Sequence, residues 1–359
     1  MQNYALNLFN NQTYAMILYS ICTIAFLLVP FIIYYFKYRQ DTSLINKYLQ
    51  VFPNSEEAYA AYTRDQENLN IVDPYRTKSL FTIIYYFFVM YILSEFISSI
   101  AISIYLYANQ FSSDIINPNS EYFNQNVYEH MQSSLNIILQ IVIYGIAIVG
   151  VVILMWKPFM EDLKRINKKT FAFGAMGFGL LYAANIIGTI FLTLIGVMNF
   201  KSNASNQEAI NSMFNTSVPN LIILFIVIVI MAPILEELVF RKAIFKQFKN
   251  KYLALIVSSL AFGMLHVISS ALLVFINITK GDATLFDFVL ELIYVIPYSL
   301  MGFALGIAYI KSNNNIASTM FAHFLNNFIS YIGSLILALN PDLLESIENA
   351  ATILINFLH

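Results

Sequence analysis

The stretch that most constrains this chain is the apolar run from Leu221 to Phe240, in which Glu236 and Glu237 stand side by side. The run is about as long as the roughly 20 residues needed to cross a bilayer. A carboxylate at membrane depth costs about 2.5–3.5 kcal/mol on insertion scales, so two adjacent ones need partners. At 100° per residue Glu237 and Arg241 lie one turn apart on one face, while Glu236 points about 100° away. This spacing predicts an ion pair between Glu237 and Arg241 and leaves Glu236 free to face a cavity. Pro233 removes a backbone hydrogen bond to Val229 and predicts a kink just before the acids. The competing reading is that both acids snorkel to the surface beside the basic loop that follows.

Composition agrees with a membrane protein. Hydrophobic residues make up 58% of the chain and charged residues 11%, too few charges to solvate a globule of this size. The net charge of -2 gives no sign of nucleic-acid binding. Cys22 is the only cysteine, so an internal disulfide is excluded. Hydropathy predicts an all-α polytopic membrane helix bundle of about eight transmembrane helices, at about 14–36, 79–109, 134–156, 171–199, 219–240, 252–277, 287–310 and 316–339. The first is too long for a signal-peptide core and is expected to be retained. The chain divides into an N-terminal membrane region 1–218, which includes a cytoplasmic loop 37–78, a core 219–339, and a tail 340–359 expected to lie as an amphipathic helix on the outer surface.

Basic residues fix the expected orientation. Seventeen of the 19 fall in segments 37–78, 157–169 and 241–251 and at Lys311, and only Lys201 and Lys280 lie on the other side. The positive-inside rule then puts the basic loops in the cytoplasm and both termini outside. Within 37–78, Asn54-Ser55-Glu56-Glu57 reads as a helix start and Asp73-Pro74 as a stop. Glu95, in the middle of the second span, has Gln140 as its candidate partner.

Three more polar positions belong with the acids. His266 lies in Phe262-Gly263-Met264-Leu265-His266, in a long apolar setting whose own span offers mainly serines. His323 and Asn327, in His323-Phe324-Leu325-Asn326-Asn327, share a face one turn apart. Each has a plain packing reading, as a satisfied core imidazole or as interhelical glue. Between these spans, Gly302-xxx-Gly306 permits close helix approach. Taken together, a carboxylate and an imidazole can draw a proton from water, and a second imidazole with an amide can stabilise an oxyanion. The same Glu236, His266 and His323 set could instead hold zinc with one open position. By depth from the basic loops, Glu236 and His323 lie at about 8 and 12 Å and His266 at about 20 Å, so the sixth helix must start beyond the membrane or tilt.

EELVFR, FGMLH and HFLNN, in this order on separate spans, resemble the EExxxR, FxxxH and HxxxN motifs of the CAAX protease and bacteriocin-processing family, which includes the type II CAAX prenyl endopeptidases. The resemblance covers roughly 219–330. It implies an intramembrane endopeptidase of a multi-pass cell-membrane protein, with its site facing the cytoplasm. It implies Glu236 as general base, Glu237 and Arg241 in support, His266 assisting water, His323 and Asn327 at the oxyanion, and Phe262 as a supporting motif residue. It favours no cofactor; if zinc is used, its ligands are Glu236, His266 and His323. The implied partners are the lipid bilayer and a membrane-associated peptide or protein substrate, such as a peptide pheromone or bacteriocin precursor if the chain is bacterial. No oligomeric state follows. Two rivals are a non-catalytic immunity or scaffold protein of the same fold, and an ion-coupled transporter. The transporter would call for internal symmetry, and the sequence shows none.

Overall fold

A computed structural model describes residues 45–52, 54–68, 76–117, 120–197, 204–214 and 217–340. Among them there is no strand, and seven helices are long and apolar enough to cross a membrane. A short helix, α1 (Ser55–Asn68), comes before them. The spans are α2 (Arg76–Ala108), α3 (Gln125–Lys164), α4 (Lys168–Leu194), α6 (Val218–Gln247), α7 (Lys251–Lys280), α8 (Leu285–Lys311, interrupted at Tyr294) and α9 (Ile316–Leu339), with a short helix α5 (Ser205–Ser212) between α4 and α6. The expected span 14–36, the Asp73-Pro74 stop and the tail 341–359 lie outside the described residues.

Local chemistry sets the helix starts. Asn54 Oδ1 accepts from Glu57 N–H at 2.8 Å, as expected for the start of α1. Asn124, Asn167, Asn250 and Asn315 cap α3, α4, α7 and α9 in the same way. Two spans run past their expected ends. α3 carries on through Pro158 to Lys164, so Lys157 and Lys164 sit on a helix and not in a loop. α6 continues to Gln247, so Arg241 and Lys242 are buried helix residues. The longer α6 puts Glu236 about 16 Å from the basic end of its helix, which removes most of the depth mismatch with His266.

α7 and α8 form the closest pair in the bundle, and α4 packs against both α8 and α9. The expected close approach at Gly302 is made against α7: a Cβ at Gly302 would stand 3.1 Å from Ser259 Cα and 3.2 Å from Phe262 Cβ. Gly306 meets Leu255, also on α7. Gly263, on the opposite side of this seam, is just as tight. The principal core, at the basic end and mid-depth, gathers Tyr86, Met155, Leu235, Phe240, Phe262 and Leu305 from five spans.

A Cβ at Gly263 would lie 2.7 Å from the Val295 carbonyl oxygen and 2.9 Å from Ser299 N, main-chain atoms that cannot step aside. Gly263→Ala is therefore expected to destabilise by about 1–3 kcal/mol. Gly333→Ala, with nothing within 4 Å of the added methyl, should be neutral or stabilising. Thermal unfolding of the two variants in the same detergent checks the contrast.

Candidate active site

The acids sit in a short α-helical segment, Ala232–Glu237, between two π-helical turns, Ile226–Met231 and Leu238–Ile244. The first turn accounts for the disturbance expected from Pro233. In it Ala232 N–H donates to Val227 O, five residues back. The next donor in that register would be residue 233, which as proline has none. The carbonyl left without a helical donor is therefore that of Ile228, not Val229. Asn327 Nδ2 donates to Ile228 O at 2.9 Å. π turns of this kind recur at functional sites, and here one is held open by a side chain from another span.

The acids are buried and do not snorkel. Glu237 and Arg241 are both 0% exposed, with Arg241 Nη1 3.2 Å from Glu237 Oε1. Arg241 Nη2 donates to Gly302 O at 3.1 Å, and its guanidinium lies 4.7 Å from the Phe262 ring centre. His323 Nδ1 donates to the same Glu237 Oε1 at 2.9 Å. Glu236 is 5% exposed, and its Oε2 has no hydrogen-bond partner. His323 Nε2 stands 3.9 Å from this oxygen.

His266 stands edge-on between two rings, with centroids 4.7 Å from Phe262 and 4.6 Å from Tyr298. Phe262 also contacts His323 at 5.9 Å, so one aromatic ring bears on Arg241 and on both imidazoles. Glu236, Phe262, His266, His323 and Asn327 all line one internal cavity of about 740 Å³. Asn327 differs from its sequence reading, since one carboxamide N–H is already given to Ile228. His323 differs as well: it holds Glu237 and faces Glu236, so the imidazole beside the free acid is His323 and not His266. Among the described residues no group of three or more His, Cys, Asp or Glu is placed to hold a metal ion. The Glu236, His266 and His323 set expected for zinc is thus not gathered into three-ligand geometry.

Two buried acids were missed by the sequence reading. Asp162, on α3, binds Lys242 Nζ at 2.6 Å, pairs with Arg165, and accepts Ile316 N–H at 3.0 Å, tying α3, α6 and the start of α9 together. Glu291, on α8, accepts from Ser205 at 3.0 Å and from Ser270. Glu291 could have been found as an acid inside a predicted span; Asp162 looked like one more loop charge. The pairing expected for Glu95 is not formed. Its side chain faces outward, and Gln140 Nε2 instead lies 3.2 Å from Met213 Sδ.

Fold and site together define a multi-pass, all-helical membrane protein with a glutamate–histidine cluster on an internal cavity. Residues 218–329 match the family described as type II CAAX prenyl endopeptidase Rce1-like, a protease family. That segment holds all three motifs, so the match and the sequence resemblance meet on the same residues. A curated protein of Mycoplasma capricolum subsp. capricolum, described as uncharacterized, is 29% identical over 181 residues. The alignment covers 49% of this chain and 46% of that protein, so the chain spans about half the length of this relative. No solved structure matches the chain.

Removing Arg241 would leave Glu237 buried beside a single imidazole. Arg241→Met is expected to cost about 3–5 kcal/mol, and adding Glu237→Gln should recover much of it, as read by unfolding in detergent. The π turn gives a second expectation. Asn327→Ala should cost about 1–3 kcal/mol by orphaning the Ile228 carbonyl. The cost should shrink in a Pro233→Ala background, which restores a main-chain N–H, and a double-mutant cycle measures the difference.

Proposed function

We propose that this protein is an intramembrane endopeptidase that hydrolyses a peptide bond in a membrane-associated peptide or protein, with Glu236 activating water. The observation that carries this reading is Glu236 on the cavity wall, its Oε2 without a hydrogen-bond partner and 3.9 Å from His323 Nε2, beside a Glu237 whose Oε1 is engaged by Arg241 and His323. Buried carboxylates are normally satisfied, and one held open on a cavity is a functional candidate.

The chemistry follows from the donors and acceptors. With its Nδ1–H given to Glu237, a neutral His323 presents the Nε2 lone pair towards Glu236. A separation of 3.9 Å is too long for a direct hydrogen bond and suits one bridging water that donates to both groups. Glu236 takes a proton from this water as its oxygen attacks the substrate carbonyl carbon. The tetrahedral oxyanion is met by N–H donors: His266, which has no hydrogen bond to another described residue, and the second N–H of Asn327. Collapse breaks the C–N bond, and the proton on Glu236 passes to the leaving amine. No step is routed through a metal. Arg241 and Phe262 act as positioning residues, the first neutralising Glu237 and the second holding both imidazoles. A peptide pheromone or bacteriocin precursor is a substrate of the fitting kind.

The reading is tested with purified protein in lipid nanodiscs and a panel of membrane peptides. Glu236→Gln should lower cleavage by about 10²–10⁴-fold at unchanged protein stability, His266→Ala should also lose activity, and a chelator should leave the wild type active. Full cleavage by Glu236→Gln would overturn the mechanism. Loss in chelator, restored by zinc, would move the same residues into a metal site.

A further inference from the structure

Part of the wall around Glu236 comes from outside the segment 218–329 that carries the three motifs. Tyr86, Met90, Tyr91 and Ser94 on α2 and Gln140 and Tyr144 on α3 line the same cavity as the acid. α3 packs directly against Ala232–Glu237 and against the π turn before it. At this level α2 has a π turn of its own, Phe88–Leu93, in which Ser94 N–H donates to Val89 O, five residues back. Such turns recur at functional sites. Tyr91, inside the turn, donates its O–H to Leu265 O at 3.4 Å, one residue before His266. Among the described lining residues Glu236 is the only carboxylate, and none is Lys or Arg.

Two phenols at the contact between α2 and α3 have opposite fates. Tyr85 O–H donates to Ile146 O at 2.7 Å, and its ring fills the space beside Gly150, so it ties the two helices together. Tyr144, two residues before that carbonyl, lines the cavity instead and makes no hydrogen bond to another described residue. Its phenol lies within electrostatic range of the Glu236 carboxylate. A buried tyrosine hydroxyl normally finds a hydrogen-bond partner. The partner of Tyr144 is therefore something held in the cavity, either water or the molecule the cavity binds. Packing alone does not call for the hydroxyl, since phenylalanine would fill the same place on the wall. An extended main chain brought to membrane depth has the matching need, because its carbonyls must find donors there.

We propose that Tyr144 is a substrate-holding residue of this site, its O–H donating to a main-chain carbonyl of the bound peptide and laying the scissile amide against Glu236. The inference rests on the peptidase reading and adds to it a contact from the region that precedes the motifs. No proton leaves the phenol; Glu236 and the attacking water carry the transfers already described.

The experiment uses the full chain in lipid nanodiscs, with Tyr144→Phe and, as comparator, Tyr85→Phe. The probes are the membrane peptides of the cleavage panel, and the same peptides with a hydroxyethylene group replacing one central amide, which cannot be cut there. Tyr144→Phe should lose about 10-fold in affinity for the hydroxyethylene peptide and in kcat/KM for its parent, at an unchanged or raised unfolding midpoint. Tyr85→Phe should do the reverse, keeping wild-type affinity at a lowered midpoint. A 3-fluorotyrosine at position 144 should shift its fluorine resonance when the hydroxyethylene peptide is added, and one at position 85 should not. Wild-type affinity and cleavage in Tyr144→Phe, or a silent fluorine at 144, would overturn the inference and leave the peptidase reading standing. A wild type that binds these peptides but cuts none would overturn the peptidase reading, and the same loss of affinity in Tyr144→Phe would then keep Tyr144 as a peptide contact. A wild type that binds none of them would overturn both.

Discussion

Burial of the Glu237 carboxylate organises this molecule. A lone carboxylate in a low-dielectric interior is expensive, and everything placed around it reduces that cost. Arg241 neutralises it from the next turn of the same helix, and His323 reaches it from α9. Arg241 in turn needs Gly302 O and the face of Phe262, which brings in α8 and α7. One charge thus recruits four spans, and the glycine seam between α7 and α8 lets them come close enough to respond. The catalytic candidate Glu236 is left over from this arrangement. It is the preceding residue, points another way, has no ion pair with Arg241, and has only the far nitrogen of His323 nearby, at 3.9 Å.

On the basic side of Phe262 the bundle is closely packed, and on the other side lies the cavity. Below that ring lie packed side chains and the Asp162 knot; beyond it lies the cavity with its neutral polar wall. Water held at this level would be in contact with the acid but separated from the basic end by a fully buried layer. A hydrolytic site inside a bilayer needs both properties: a supply of water, and walls that keep it from crossing.

Much of this was legible in the residues. Long apolar runs gave the spans, because hydrocarbon thickness sets a length that hydropathy can count. The Glu237–Arg241 pair followed from helical spacing alone. What could not be read depends on contacts distant in sequence. The Ile228 carbonyl in the π turn before Ala232 is met by Asn327, 99 residues away. Glu237 draws His323 to itself across 86 residues, which reassigns the two imidazoles. Asp162 looked like a loop charge because its partners Lys242 and Ile316 come much later in the chain.

The Glu237–Arg241 pair also bears on how such a chain enters a membrane. Spans are inserted in sequence, and α9 emerges long after α6. A Glu237 that relied on His323 alone would wait in lipid, unpaired, until the last span arrived. With Arg241 one turn away, α6 brings its own counter-ion and can pass into the bilayer as a locally neutral unit. Asp162 meets the same delay in another way. It lies at the basic end of α3, near the headgroups, where water can hold its charge until Lys242 and the start of α9 arrive. The placement of each acid thus matches the moment of biogenesis at which its partner becomes available.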